Sequence, residues 1–134
     1  MANIAKTYTQ SVGVLFLIIG LAAFIPALAP TNEHGQLLLG IFQINFAQTI
    51  IHLLTAIVAL GAVALGKDYY VRTYVQVFGL VYVAVALWGL PGLAGTYDGV
   101  LFGLIHVNAP TELLHIVIGA FGVYAGFIAP GKKA

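Results

Sequence analysis

Two histidines are the residues of this chain best suited to chemistry, and each stands seven positions after an asparagine: His52 after Asn45, and His115 after Asn108. Residues at i, i+3, i+4 and i+7 of an α-helix share a face. On that spacing Asn45 is followed by Gln48, Thr49 and His52, and Asn108 by Thr111, Glu112 and His115. At 1.5 Å per residue, each imidazole sits about 10 Å along its helix from the asparagine. Further along, both faces turn small, with Ala56 and Ala59 in one and Gly119 and Gly122 in the other. Small residues let helix backbones approach closely where lipid offers no hydrophobic drive for association. The two stripes are therefore expected to meet at a common axis, with His52 and His115 facing each other or a shared cavity.

The histidine pair can be read in two ways. Two imidazoles can ligate haem b iron axially, or the magnesium of a chlorophyll-type pigment, with the glycines admitting a flat macrocycle. Alternatively, each imidazole is internal polar glue that donates a ring N–H to a carbonyl or to a neighbouring Asn or Thr. Glu112 is the one acid on either stripe, at the place where the first copy has Thr49. Near a helix N-terminus it suits a capping role, or it pairs with His115. No charged residue continues from it through the helix, so a complete proton pathway is not expected. His34, His106, Glu33 and Asp98 could face one another, but their spacing is no known metal motif. Neither a nucleophile with a base nor paired carboxylates nor a phosphate loop is present, and no enzyme activity is expected.

The elements that must carry these residues are membrane helices. The 134 residues are 61% hydrophobic and 7% charged, with mean hydropathy +1.04; a soluble domain carries about 25% charged residues. The composition predicts an integral membrane protein bathed in lipid, and excludes nucleic acid as a partner. With no cysteine, disulfides and thiolate ligands are ruled out. Tyr8 to Leu28 is long enough to span, since about 20 apolar residues are needed. Asn45 opens a second helix to about Leu65, with Gln48 completing a capping box. A third runs from about Val71 to Leu90, and a fourth from Asn108 to near Ala129, with Pro110 harmless in its first turn. Leu37 to Ile44 and Ala94 to Val107 are too short or too broken to span, and are expected at the interface or as a lid.

The chain repeats. Gly40-Ile41-Phe42-Gln43-Ile44-Asn45 corresponds to Gly103-Leu104-Ile105-His106-Val107-Asn108 at an offset of 63 (115 − 52). Thr7-Tyr8-Thr9-Gln10 corresponds to Thr73-Tyr74-Val75-Gln76 at an offset of 66 (73 − 7). Repeat 1 is about residues 5–66 and repeat 2 about 70–131, within one transmembrane domain spanning 1–134. Two crossings per unit give both copies the same orientation, related by a pseudo-two-fold axis along the membrane normal. Lys6, Lys67, Arg72, Lys132 and Lys133 all fall on one side, so both termini are expected in the cytoplasm.

At Gly-Ile-Phe-x-Ile-Asn and its second copy Gly-Leu-Ile-His-Val-Asn, each with a His seven residues beyond the Asn, the chain resembles a bacterial family of small four-helix membrane proteins known as a domain of unknown function, DUF4383. The resemblance covers nearly the whole chain and implies the four-helix fold, with no activity. Gln48 or Thr49 and Thr111 or Glu112 stand where that family often has a further Asn or Asp.

The expected architecture is an all-α integral membrane bundle of four transmembrane helices, built from two parallel two-helix repeats. The expected role is that of a non-enzymatic accessory, assembly or stabilising subunit, with membrane-protein partners or further copies of itself. Its membrane is expected to be a bacterial inner or photosynthetic membrane. The alternatives are a haem- or pigment-binding protein using His52 and His115, and a small transporter or channel.

Overall fold

The computed structural model describes residues 3–129, and is organised as four long helices with a β-hairpin layer over one end. Helix α1 (Ile4–Ala22) opens on Asn3, whose side chain accepts from the Lys6 N–H at 3.1 Å. It stops six residues short of the expected Leu28. The cause is Pro26, whose ring would collide with the Ala22 carbonyl and which biases Ile25 away from helix. The chain turns instead, with Ile25 N–H donating to Ala22 O at 3.0 Å. Helix α2 (Phe46–Ala64) has the full capping box: Asn45 accepts from Gln48 N–H at 2.9 Å, and Gln48 Oε1 from Asn45 N–H at 3.1 Å.

Helix α3 (Asp68–Trp88) starts three residues earlier than Val71, with Asp68 favourably placed in its first turn. It gives way at Gly89 to a 3-10 turn, Leu90–Ala94, that takes in Pro91. Helix α4 (Ala109–Val123) is capped by Asn108 and continues as a π-helical turn over Tyr124–Ile128. All four are long and apolar enough to cross a membrane. The protein is an integral membrane protein whose helix flanks contact lipid. Lys6, Lys67 and Arg72 lie at one end of the bundle; Lys132 and Lys133 lie outside the described residues.

The segments joining the helices at the other end are strands. Strands β1 (Thr31–Asn32), β2 (Gly35–Leu38) and β3 (Phe42–Ile44) form an antiparallel sheet in which Leu37 pairs with Gln43. Strands β4 (Tyr97–Val100) and β5 (Ile105–Val107) form the matching hairpin. Short apolar runs carry no period that separates helix from strand, so the sequence left these segments undefined. Their turns are tight enough to force Leu39, Leu101 and Phe102 to positive φ (55°, 49° and 58°), a region L-residues rarely enter.

Packing is strongest within each repeat: α1 lies on α2 and α3 on α4. A Cβ added to Gly13 would meet Ala59 Cβ at 3.2 Å, and one on Gly79 would meet the Gly122 backbone at 2.7 Å. These are equivalent contacts, because Gly79 is 66 residues beyond Gly13 and Gly122 is 63 beyond Ala59. The small faces of α2 and α4 therefore serve packing on α1 and α3, and not the expected packing of α2 on α4. The two repeats join through aromatic side chains of α1 and α3: Phe16, Phe78 and Tyr82 form one buried cluster with Ala56.

Candidate functional site

Each asparagine cap also reaches across to the other repeat. Asn45 Nδ2 donates to the Leu104 carbonyl at 2.7 Å, and Asn108 Nδ2 donates to the Ile41 carbonyl at 2.9 Å. Leu104 is 63 residues beyond Ile41, as Asn108 is beyond Asn45, so the two bonds are symmetry mates. Thr111 tightens one side, its hydroxyl donating to the Gln43 carbonyl at 3.0 Å while Asn108 Oδ1 accepts from Gln43 N–H at 3.2 Å. Gln43 itself is buried. Its amide donates to Gln36 O and Ile44 O, both at 3.1 Å, and its Oε1 accepts from Asn32 at 2.7 Å. The sequence pointed to Gln43 only as the counterpart of His106; its role depends on strand pairing, which periodicity did not show.

Below this clasp the stripes are buried as a whole: Gln48, Thr49, His52, Thr111, Glu112 and His115 all lie inside. The imidazoles lie against aromatic rings. His52 lies against Phe16 with ring centroids 4.8 Å apart, and His115 meets the ring of Tyr82 at 5.5 Å and 84°. Phe16 and Tyr82 are 5.7 Å apart and are themselves equivalent, 66 residues apart. A continuous run of four rings thus links the two histidines through the centre of the bundle. A macrocycle seated between the imidazoles would have to displace both Phe16 and Tyr82. Ala56 and Ala59 are fully buried beside this run, and Gly119 packs on the Tyr82 and Val83 backbone.

Several atoms of the stripes remain without a hydrogen-bond partner among the described residues. They are Gln48 Nε2, both carboxyl oxygens of Glu112, and Nδ1 of His115, together with Nδ1 of His106 in β5. Buried polar atoms of this kind are few in folded proteins. Glu112 faces the C-terminal end of α3: a Cβ added to Gly89 would collide with its Oε2. At the equivalent place in repeat 1, Ala23 and Thr49 line a cavity of about 280 Å³. His34 and His106 have ring centroids 6.0 Å apart, and His34 Nε2 lies 3.3 Å from Glu33 Oε1. Among the described residues, no group of three or more His, Cys, Asp or Glu side chains could hold a metal ion.

The flanks of the bundle differ between the repeats. Tyr8 OH donates to the Ile118 carbonyl at 2.6 Å and closes the seam between α1 and α4, whereas its counterpart Tyr74 reaches the Thr55 carbonyl only at 3.5 Å. Where that second seam is looser, a groove of about 690 Å³ runs between α2 and α3. Thr55, Val58, Gly61, Val77, Val81 and the two tyrosines Tyr69 and Tyr70 are among its walls. Neither the groove nor the smaller cavity is lined by His52 or His115.

The model of the family described as domain of unknown function (DUF4383) matches residues 6–128. The chain belongs to this family. The match takes in both repeats and every residue of the two stripes. No curated protein and no solved structure matches the chain.

Proposed function

We propose that this DUF4383 member is a non-enzymatic accessory subunit that assembles with and stabilises a larger complex in a bacterial inner or photosynthetic membrane, both termini being cytoplasmic. The groove between α2 and α3 carries the proposal. It is open on the lipid-facing side of one seam while the equivalent seam is closed by Tyr8. A transmembrane helix of a partner is the occupant that suits it. The walls run from Ile51 to Leu65 on α2 and from Tyr69 to Tyr82 on α3, about 20 Å at 1.5 Å per residue, a large part of the roughly 30 Å hydrocarbon core. Its walls are almost wholly apolar, and helix association in lipid rests on such close packing. Reactive groups are turned inward: the imidazoles stand against rings, and the asparagines are spent on caps and hairpins. Burial of the histidines against Phe16 and Tyr82 supports a packing role in the core. The basic side chains Lys6, Lys67 and Arg72 gathered at one end support cytoplasmic termini.

The test uses Gly61, where an added Cβ meets nothing within 4 Å. Gly61→Trp fills the groove from its own wall while leaving the fold intact. Purified in mild detergent from the native membrane, the wild-type protein is expected to be colourless and to bring a stoichiometric membrane partner, which the Gly61→Trp protein loses. Equal recovery of that partner with Gly61→Trp would refute the groove. A Soret or chlorophyll-type band abolished by His52→Gln and His115→Gln would overturn the non-cofactor reading altogether.

A further inference from the structure

We propose that Glu112 forms a binding site for a monovalent metal cation, Na+ being the ion of that class used to test it, between the end of α3 and the start of α4. Glu112 is 0% exposed and, among the described residues, neither carboxyl oxygen has a hydrogen-bond partner. A charge so placed in a membrane protein needs an opposite charge or a set of polar ligands. Among the described residues, no Lys or Arg lies at this place. Lys6, Lys67 and Arg72 are at the opposite end of the bundle, and the one ion pair among the described residues joins Glu33 to His34.

What the chain does supply is oxygen. The carboxyl lies against Gly89, where α3 ends and the backbone tightens into the Leu90–Ala94 turn. The C-terminal end of a helix carries partial negative charge, and the Gly89 carbonyl, which accepts from Gly92 N–H at 2.8 Å, keeps a second lone pair. Interrupted helices in membrane proteins use such carbonyls, together with a carboxylate, as hard ligands for small cations. The valence follows from the count of acids. One carboxylate, with no group of three acidic or imidazole side chains among the described residues, balances one positive charge, whereas divalent calcium draws on several carboxylates.

The two repeats show that this corner is built for the carboxyl. Repeat 1 has Ala23 and Thr49 where repeat 2 has Gly89 and Glu112. The larger acid and the lost Cβ occur together, and Gly89 makes room that alanine would deny to Oε2. Glu112 lies four residues beyond the Asn108 cap, about 6 Å along the helix, which places the site just beneath the hairpin layer.

A hydrophobic carbodiimide is the probe. It adds to a protonated membrane carboxyl: the acid proton passes to a carbodiimide nitrogen, the carboxyl oxygen bonds to the central carbon, and rearrangement leaves a stable N-acylurea with no group lost. A bound Na+ occupies the carboxyl and blocks the addition. The adduct on intact wild-type protein is mapped to its peptide by mass spectrometry while NaCl replaces N-methylglucamine chloride at constant ionic strength. Labelling of Glu112 is expected to fall about ten-fold once Na+ stands ten-fold above its dissociation constant. In parallel, Na+ is expected to raise the melting temperature of the wild type and not that of Glu112→Gln. A labelling rate independent of Na+ would overturn the site, as would an adduct mapped to another carboxyl. Because the labelling arm needs only the wild type, a Glu112→Gln protein that fails to fold leaves the test intact.

Discussion

Asn45 holds the Leu104 carbonyl at 2.7 Å while its own Oδ1 caps α2. One side chain thus starts a helix of the first repeat and fastens the hairpin of the second. Its mate, Asn108, does the reverse through the Ile41 carbonyl. Loss of a helix cap costs about 1 kcal/mol, and loss of a hydrogen bond about 1 kcal/mol more. Asn45→Ala and Asn108→Ala are each expected to destabilise the protein by about 2 kcal/mol. Denaturant titration in detergent micelles measures this, and the double variant tests coupling. Because both bonds brace the same pair of hairpins, the two losses are expected to depart from additivity.

Gly89 and Glu112 should behave as a unit. Gly89→Ala drives a Cβ into the carboxyl, and overpacking of this kind costs about 1–3 kcal/mol. Glu112→Thr in the same chain restores the Ala/Thr combination of Ala23 and Thr49, and is expected to recover most of the loss. Thermal denaturation of the four members of the cycle decides it; additive losses would sink the steric account.

Glycines along the helices are expected to divide by what an added Cβ would meet. At Gly79 it meets the Gly122 backbone at 2.7 Å, so Gly79→Ala must part α3 from α4 and should cost about 1–3 kcal/mol. At Gly61 it meets nothing within 4 Å, and Gly61→Ala should stabilise by up to about 1 kcal/mol through helix propensity. A gain at Gly79 or a loss at Gly61, read from the same denaturation curves, would contradict this packing.

The ring run from His52 to His115 predicts a packing role for both imidazoles. Phe16→Ala removes the ring that covers His52 and joins Tyr82, and large-to-small changes of buried Phe cost about 3–5 kcal/mol. His52→Gln should cost less, because its length is partly kept. Accumulation in the membrane and melting temperature check the order, which would fail if His52→Gln proved the more damaging.

Local signals in the chain were enough for much of this. Asn45 with Gln48 marked a helix start because a capping box is satisfied within four residues, and Pro110 after Asn108 marked another. The four spans were legible because a membrane demands long apolar runs. The apolar run continues to Leu28, while Pro26 marks a bend or stop near the outer end of α1, and the helix ends at Ala22. The strands stayed hidden because five short segments depend on partners up to ten residues away (107 − 97). The hairpin bonds to Leu104 and Ile41 cross from one repeat to the other, and no periodicity reports such contacts.

By itself, then, the sequence determined that this is a four-span membrane protein with a doubled Asn-to-His stripe, since hydropathy, capping and repeat are all properties of neighbours along the chain. Which helices the small faces would meet was decided only in three dimensions. Gly13 against Ala59 and Gly79 against Gly122 bring each helix pair of a repeat together, and that turns Phe16 and Tyr82 toward the centre, where they take the place between the imidazoles. Tertiary packing likewise decided the place of Glu112, because the space it needs is made by a missing Cβ on another helix, at Gly89.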